Sequence, residues 1–403
     1  MKQPEAAEAV MKATIFLALI YLTFISLGLP DPLLGAVWPV MRVELGASVD
    51  MAGIISVIIS GGTIISSLCC GRLVGRFGAG IVTALSVVLT AGALVLASFS
   101  PSVLWLCLAA VPLGLGGGAV DAALNNFVAL HYTPRHMSWL HSFWGAGAFA
   151  GPLIIARSLS RGDNWRGAYL TLGLIQSGIS LLLIASLPLW NRKGRTPAPA
   201  SRVGAPAGGA GVGGVLRLPG VAPALATFFL YCAAEYTVGL WGASFLCDVR
   251  GFTKSAAALS LSLYFAGITV GRLITGFLTL RFNGAALIRG GILVITAGAA
   301  LLLLPLPRFL AFPALLLIGL GCAPVYPSML HLTPERFGPE NSQKIIGFQM
   351  AGAYCGSTFM PPLVGFAAAR TSLGIIPVIL FCYGVAMLFI SEKINHPPAA
   401  GGT

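Results

Sequence analysis

Long apolar runs dominate this chain and restrict its possible folds more than any other feature. A bilayer-spanning helix needs about 20 predominantly apolar residues. Such runs occur at 13–38, 50–70, 79–99, 103–131, 139–157, 167–190, 219–245, 255–280, 284–305, 310–331, 342–369 and 372–391. The short stretches between them collect the Arg, Lys, Asp and Pro residues. In lipid only helices and closed barrels satisfy the backbone, and continuous apolar runs of this length read as helices rather than alternating barrel strands. The sequence therefore predicts an all-α polytopic membrane protein with twelve transmembrane helices. A soluble globule is excluded, because only 9% of the residues are charged, against about a quarter in soluble chains. The first run is too long for a signal-peptide core and lacks an Ala-x-Ala cleavage site, so it reads as a retained helix.

The formal net charge is +12, but the basic residues are spread over the connections, which argues against a nucleic-acid surface. They follow topology instead. With the N-terminus inside, 15 of the 24 Lys and Arg fall in cytoplasmic segments and 8 in outer ones, with Arg272 intramembrane. The positive-inside rule then puts both termini in the cytoplasm. The eight cysteines lie in or at the edge of helices without the spacing of a zinc site, and no metal or organic cofactor is expected. No catalytic constellation or nucleotide loop is found, so an enzyme is not expected. The expected partners are the bilayer and a small-molecule substrate, with the chain acting as a monomer in a plasma (inner) membrane.

Residues 191–217 form the only long non-membrane stretch in the middle of the chain. They are rich in Gly, Ala and Pro and read as a flexible cytoplasmic linker. The linker separates an N-terminal six-helix bundle, 1–190, from a C-terminal one, 218–403. The halves also share motifs at one offset. Gly71-x4-Arg76-Phe77 recurs as Gly276-x4-Arg281-Phe282, Gly114-Leu115-Gly116 as Gly319-Leu320-Gly321, and Gly147-Ala148 with Gly151 as Gly352-Ala353 with Gly356, each 205 positions later. Two six-helix bundles related by a parallel repeat are the plan of the major facilitator fold.

The stretches 114–152 (GLGGGAVDAALNNFVALHYTPRHMSWLHSFWGAGAFAGP), 228–241 (FFLYCAAEYTVGLW), 265–277 (FAGITVGRLITGF) and 317–330 (LIGLGCAPVYPSML) resemble the fucose/glucose proton-symporter family of that superfamily. The resemblance implies proton-coupled symport of a monosaccharide, with Asp31 and Asp121 at positions where the family carries carboxylates associated with proton coupling. Two departures stand out. Gly75 occupies the place in Gly71-Arg72-Leu73-Val74-Gly75-Arg76 where the superfamily usually has an acid. Gly147-x3-Gly151-Pro152 resembles part of the helix-five signature of drug/proton antiporters, which keeps export of an amphipathic compound open as the alternative.

Three of the twelve carboxylates lie well inside spans: Asp31, Asp121 and Glu235. A charge at a helix centre costs roughly 2.5 to 3.5 kcal/mol on insertion scales, so acids kept there face a cavity or a proton path. All three are candidate proton carriers. Asp31 sits in Leu29-Pro30-Asp31-Pro32. Pro30 and Pro32 cannot donate backbone bonds and leave the carbonyls of Ser26 and Gly28 without partners, so the first helix should break there. Glu235 follows Pro30 by 205 positions, which puts it within one residue of the repeat position of Asp31.

Sugars are bound by amides and carboxylates that fork onto hydroxyls and by aromatic faces against the ring. The candidates are Trp38, Asn125, Asn126, His141, Trp144, Gln176, Tyr236, Trp241, Tyr264, Tyr326, Gln349 and Tyr354. Asn125 is one turn from Asp121, and His141 and Trp144 are one turn apart. Arg72, Arg76 and Arg281 are candidate gate residues at helix ends. Arg272 stands about nine residues, roughly 13 Å, inside the span. It either pairs with an acid or a carbonyl in a gate or lies along apolar surface with its charge at the rim.

Overall fold

The computed structural model describes residues 2–132, 134–162, 164–193, 214, 216–305 and 307–395. Most of the expected linker lies outside them. Among the described residues the regular structure is helical: α1 Lys2–Gly28, α2 Leu33–Glu44, α3 Met51–Phe77, α4 Ala79–Ser98, α5 Val103–His131, α6 Pro134–Ser160, α7 Trp165–Lys193, α8 Val221–Asp248, α9 Lys254–Leu278, α10 Gly284–Leu303, α11 Ala311–Phe337, α12 Pro339–Arg370 and α13 Ile375–Asn395. Counting α1 and α2 as one broken span gives the expected twelve. Ten of these spans are long and apolar enough to cross a membrane. The other two, α6 and α12, occupy the fifth position of each half and carry much of the polar inventory, including His141 and Gln349.

By contacts the chain divides into two compact units. One holds the residues up to Leu34 and those from Ile54 to the linker; the other holds Gly35–Gly53 and the residues after the linker. The core of the first unit is built around Phe16, Phe127 and Trp190, whose rings meet at centroid distances of 4.7 to 5.7 Å and tie α1, α5 and α7 together. In the second unit α2 packs on α8. Gly35 lies so close that a Cβ there would stand 1.9 Å from the Gly239 carbonyl oxygen. Arg42 of α2 is ion-paired with Asp248 at the end of α8.

The repeat is visible as packing. A Cβ at Gly114 would meet the Ile59 oxygen at 2.2 Å, and one at Gly319 the Tyr264 oxygen at 2.1 Å. Gly116 approaches the Ser86 oxygen and Gly321 the Gly291 oxygen, at 2.5 and 2.6 Å by the same measure. Glycine and neighbour alike are displaced by 205 positions. Small residues let backbones come this close, and in a membrane such contacts drive helix association because lipid supplies no hydrophobic force between helices.

Candidate functional site

The first span stops being helical at Leu29–Pro32. The Leu29 amide still reaches the Ile25 carbonyl at 3.0 Å, and the Leu33 amide restarts the chain on the Pro30 carbonyl at 3.1 Å. Between them Asp31 is exposed, and its Oδ2 accepts a 2.8 Å hydrogen bond from the Trp144 indole nitrogen. Trp144 is brought there because α6 lies against α1 through glycine. A Cβ at Gly147 would meet the Ile25 oxygen at 2.2 Å, one at Gly151 the Leu29 oxygen at 2.4 Å, and one at Gly28 the Trp144 oxygen at 2.0 Å.

The second carboxylate belongs to the same unit. Asn125 donates through Nδ2 to Asp121 Oδ1 at 2.8 Å and to the Asp121 carbonyl at 3.0 Å. Both contacts use the amide nitrogen, so the Asn125 side-chain oxygen can still accept from a hydroxyl. Asp121 and Asp31 are near enough for their charges to interact. The structure thus gathers Asp31, Asp121, Asn125 and Trp144 in the first unit. His141 is exposed there and meets the edge of Phe24 at 5.9 Å. Asn126 is exposed, off the Asp121–Asn125 face.

Gln176 of α7 is fully buried, and both ends of its amide turn on one residue. The Ser26 hydroxyl donates to Oε1, and Nε2 donates to the Ser26 carbonyl at 2.5 Å. Ser26 is the hydrogen-bond partner that sequence reasoning could not pair, because 150 positions separate the two.

The second unit corrects the expected repeat position of Glu235. Gly352 faces the Leu225 oxygen and Gly356 the Phe229 oxygen, as Gly147 and Gly151 face Ile25 and Leu29. The α6 glycines have moved by 205 positions and their first-helix neighbours by only 200. The counterpart of Asp31 is therefore Tyr231, and Glu235 corresponds to Gly35. The shorter step arises because the stretch between the first two helices is five residues longer in the second half: Leu29 to Ile59 is 30 positions, whereas Phe229 to Tyr264 is 35. Tyr326 stands where Asp121 stands in the first half. The Tyr231 and Tyr326 rings lie 6.3 Å apart, with Phe228 4.9 Å from Tyr326.

Glu235 is buried at 8% exposure. Its charge is near enough to that of Arg272 for the two to interact. Tyr264, fully buried beside them, donates to the Glu235 carbonyl at 3.2 Å.

Several other candidates are fixed by contacts within the protein. Trp38 is fully buried and donates to the Val49 carbonyl at 3.0 Å. Trp241 is fully buried and donates to the Pro361 carbonyl at 2.7 Å. Gln349 accepts from Thr333 at 3.0 Å, and the Tyr326 hydroxyl meets the Met350 sulfur at 3.4 Å. Tyr236 and Tyr354 are exposed, as are Arg72, Arg76 and Arg281. Arg76 lies over the Phe77 ring at 5.4 Å.

Comparison with known proteins places the fold. A sequence description of the Major Facilitator Superfamily matches residues 15–343. "Bypass of stop codon protein 6" of Saccharomyces cerevisiae is 25% identical over 411 residues, covering 93% of this chain and 80% of the yeast protein. Among solved structures, a bacterial homolog of the human lysosomal transporter Spinster, in an inward-facing and occupied conformation, matches with a TM-score of 0.72 at 13% identity, covering 95% of this chain and 96% of that one. A variant of the nucleoside transporter NupG matches with a TM-score of 0.77 at 13% identity, covering 93% and 98%. At such identities the structural likeness speaks for the fold.

Proposed function

Because the chain belongs to the Major Facilitator Superfamily and is an integral membrane transporter, the open question is what it carries, and we propose proton-coupled symport of a small hydroxylated solute, a monosaccharide in the first instance. The observation that carries this reading is the exposed Asp31 at a helix break, held by Trp144 and within electrostatic reach of Asp121. Two acids, an amide with a spare acceptor and an indole ring are the groups that bind a proton and a polyol together.

The indole nitrogen is a donor only, so its bond to Asp31 is strongest with the carboxylate and weakens once Asp31 carries a proton. Protonation then frees the Trp144 ring to lie against a solute. Neutralising the acid also lowers the cost of passing it through a dehydrated arrangement, which links proton loading to reorientation. In this reading the protein works as a monomer in the plasma (inner) membrane with both termini in the cytoplasm, and the coupling ion is H+.

The test is uptake of a panel of labelled sugars into proteoliposomes, with and without an inward proton gradient. Gradient-driven accumulation of a sugar is expected. Accumulation driven by sodium alone would replace the proton, and proton-driven efflux of amphipathic compounds would replace symport with antiport.

A further inference from the structure

We propose that Gln176 is a positioning residue for Asp31, a side-chain amide that takes the place of the backbone donor missing at Pro30. A helical carbonyl is normally paired with the N–H four residues on, and Pro30 has none to give to Ser26. Ser26 is 1% exposed and Gln176 fully buried, so this carbonyl is shut off from bulk solvent. Gln176 Nε2 supplies the bond from α7, while the Ser26 hydroxyl returns one to Oε1. The clamp sits one turn before Asp31 and ties the end of α1 to a neighbouring helix. The position at which the chain leaves the helix, and hence the place of the carboxylate, is thereby fixed.

The other half of the molecule supports this. With the first helix of each half related by 200 positions, Pro30 corresponds to Leu230 and Ser26 to Ala226. Leu230 keeps its N–H, and α8 runs unbroken from Val221 to Asp248. The proline and the hydroxyl partner are missing together where no break occurs. An amide kept only to bind solute would have no reason to turn both its ends on Ser26.

The experiment is a double-mutant cycle of thermal midpoints in detergent. Gln176→Leu is expected to lower the midpoint by several degrees in the native background. It should lower it little in Pro30→Ala, where residue 30 can again donate to Ser26. Equal losses in both backgrounds would overturn the proposal. If Gln176→Leu alone cannot be purified, recovery of the Pro30→Ala/Gln176→Leu protein supports the clamp. If that protein is also lost, Gln176→Glu decides, because a glutamic acid keeps both contacts only while protonated. Its midpoint should fall as pH rises relative to the native protein, and parallel pH curves would sink the idea.

The effect on coupling rests on the function proposed for Asp31: in Gln176→Glu the pH midpoint of solute-driven proton uptake should move with the clamp, whereas a merely structural glutamine would leave it in place. A coupled stability cycle without any proton flux in the native protein would reject that function and leave the clamp standing.

Discussion

The two halves share a scaffold and differ in what they hang on it. A Cβ at Gly114 or at Gly319 would meet equivalent carbonyl oxygens at 2.2 and 2.1 Å, yet Asp31 and Asp121 of the first half answer to Tyr231 and Tyr326 of the second. The first half breaks its leading helix and exposes an acid at the break. The second keeps α8 continuous and holds its own acid, Glu235, buried within electrostatic reach of Arg272. Duplication preserves the small residues because backbone approach tolerates no Cβ, while polar positions are free to diverge. The lesson is that chemistry in such a repeat is found where the halves disagree.

The largest effect should come from removing the acids that only the first half has. Asp31→Asn is expected to abolish sugar-induced alkalinisation of the medium by proteoliposomes while the protein stays inserted, since a neutral side chain at that depth is cheaper than a charge. Asp121→Asn should retain sugar exchange but lose pH-driven accumulation. Proton movement with sugar surviving in Asp31→Asn would transfer coupling to Asp121 or Glu235.

The comparison can next be broken from the other side by giving the second half the proline of the first. Leu230→Pro removes the bond to the Ala226 carbonyl with no clamp to replace it, which should cost about 3 kcal/mol and show as a sharp loss of thermal stability. A mild effect would mean that α8 is as ready to break as the first span.

The shared scaffold predicts equal penalties. Gly114→Ala and Gly319→Ala each force a Cβ against a carbonyl oxygen and should destabilise by roughly 1 to 3 kcal/mol, by similar amounts. Unequal losses in thermal unfolding would show that the halves are not packed to the same tolerance. The smallest effect is expected at Tyr231→Phe, which keeps the ring and removes the hydroxyl. Its proton flux should match the native protein, and a fall would draw the second half into coupling.

Much of this was legible in the residues. Span number, the broken first helix and the repeat of the glycine motifs follow from apolar length, from proline's missing N–H and from 205-residue spacing. The partners were not. Gln176 reads as a polar residue in search of company, and only the packing of α7 on α1 shows that its company is Ser26. The offset that relates α3 to α9 and α5 to α11 does not hold for the leading helices, because five extra residues in one connection leave no mark on apolar periodicity. Only backbone contacts reveal that Tyr231 replaces Asp31.

By itself, then, the sequence determined that this chain crosses the membrane as helices in two repeated halves, because apolar length and backbone hydrogen bonding are local properties of each segment. Tertiary structure decided which side chains meet, Trp144 with Asp31 and Gln176 with Ser26, and which charges come within reach of each other, Arg272 and Glu235. A hydrogen bond or a charge pair between helices depends on rotation and register between segments far apart in the chain, and those are set by close-packed glycines acting together rather than by any one stretch of residues.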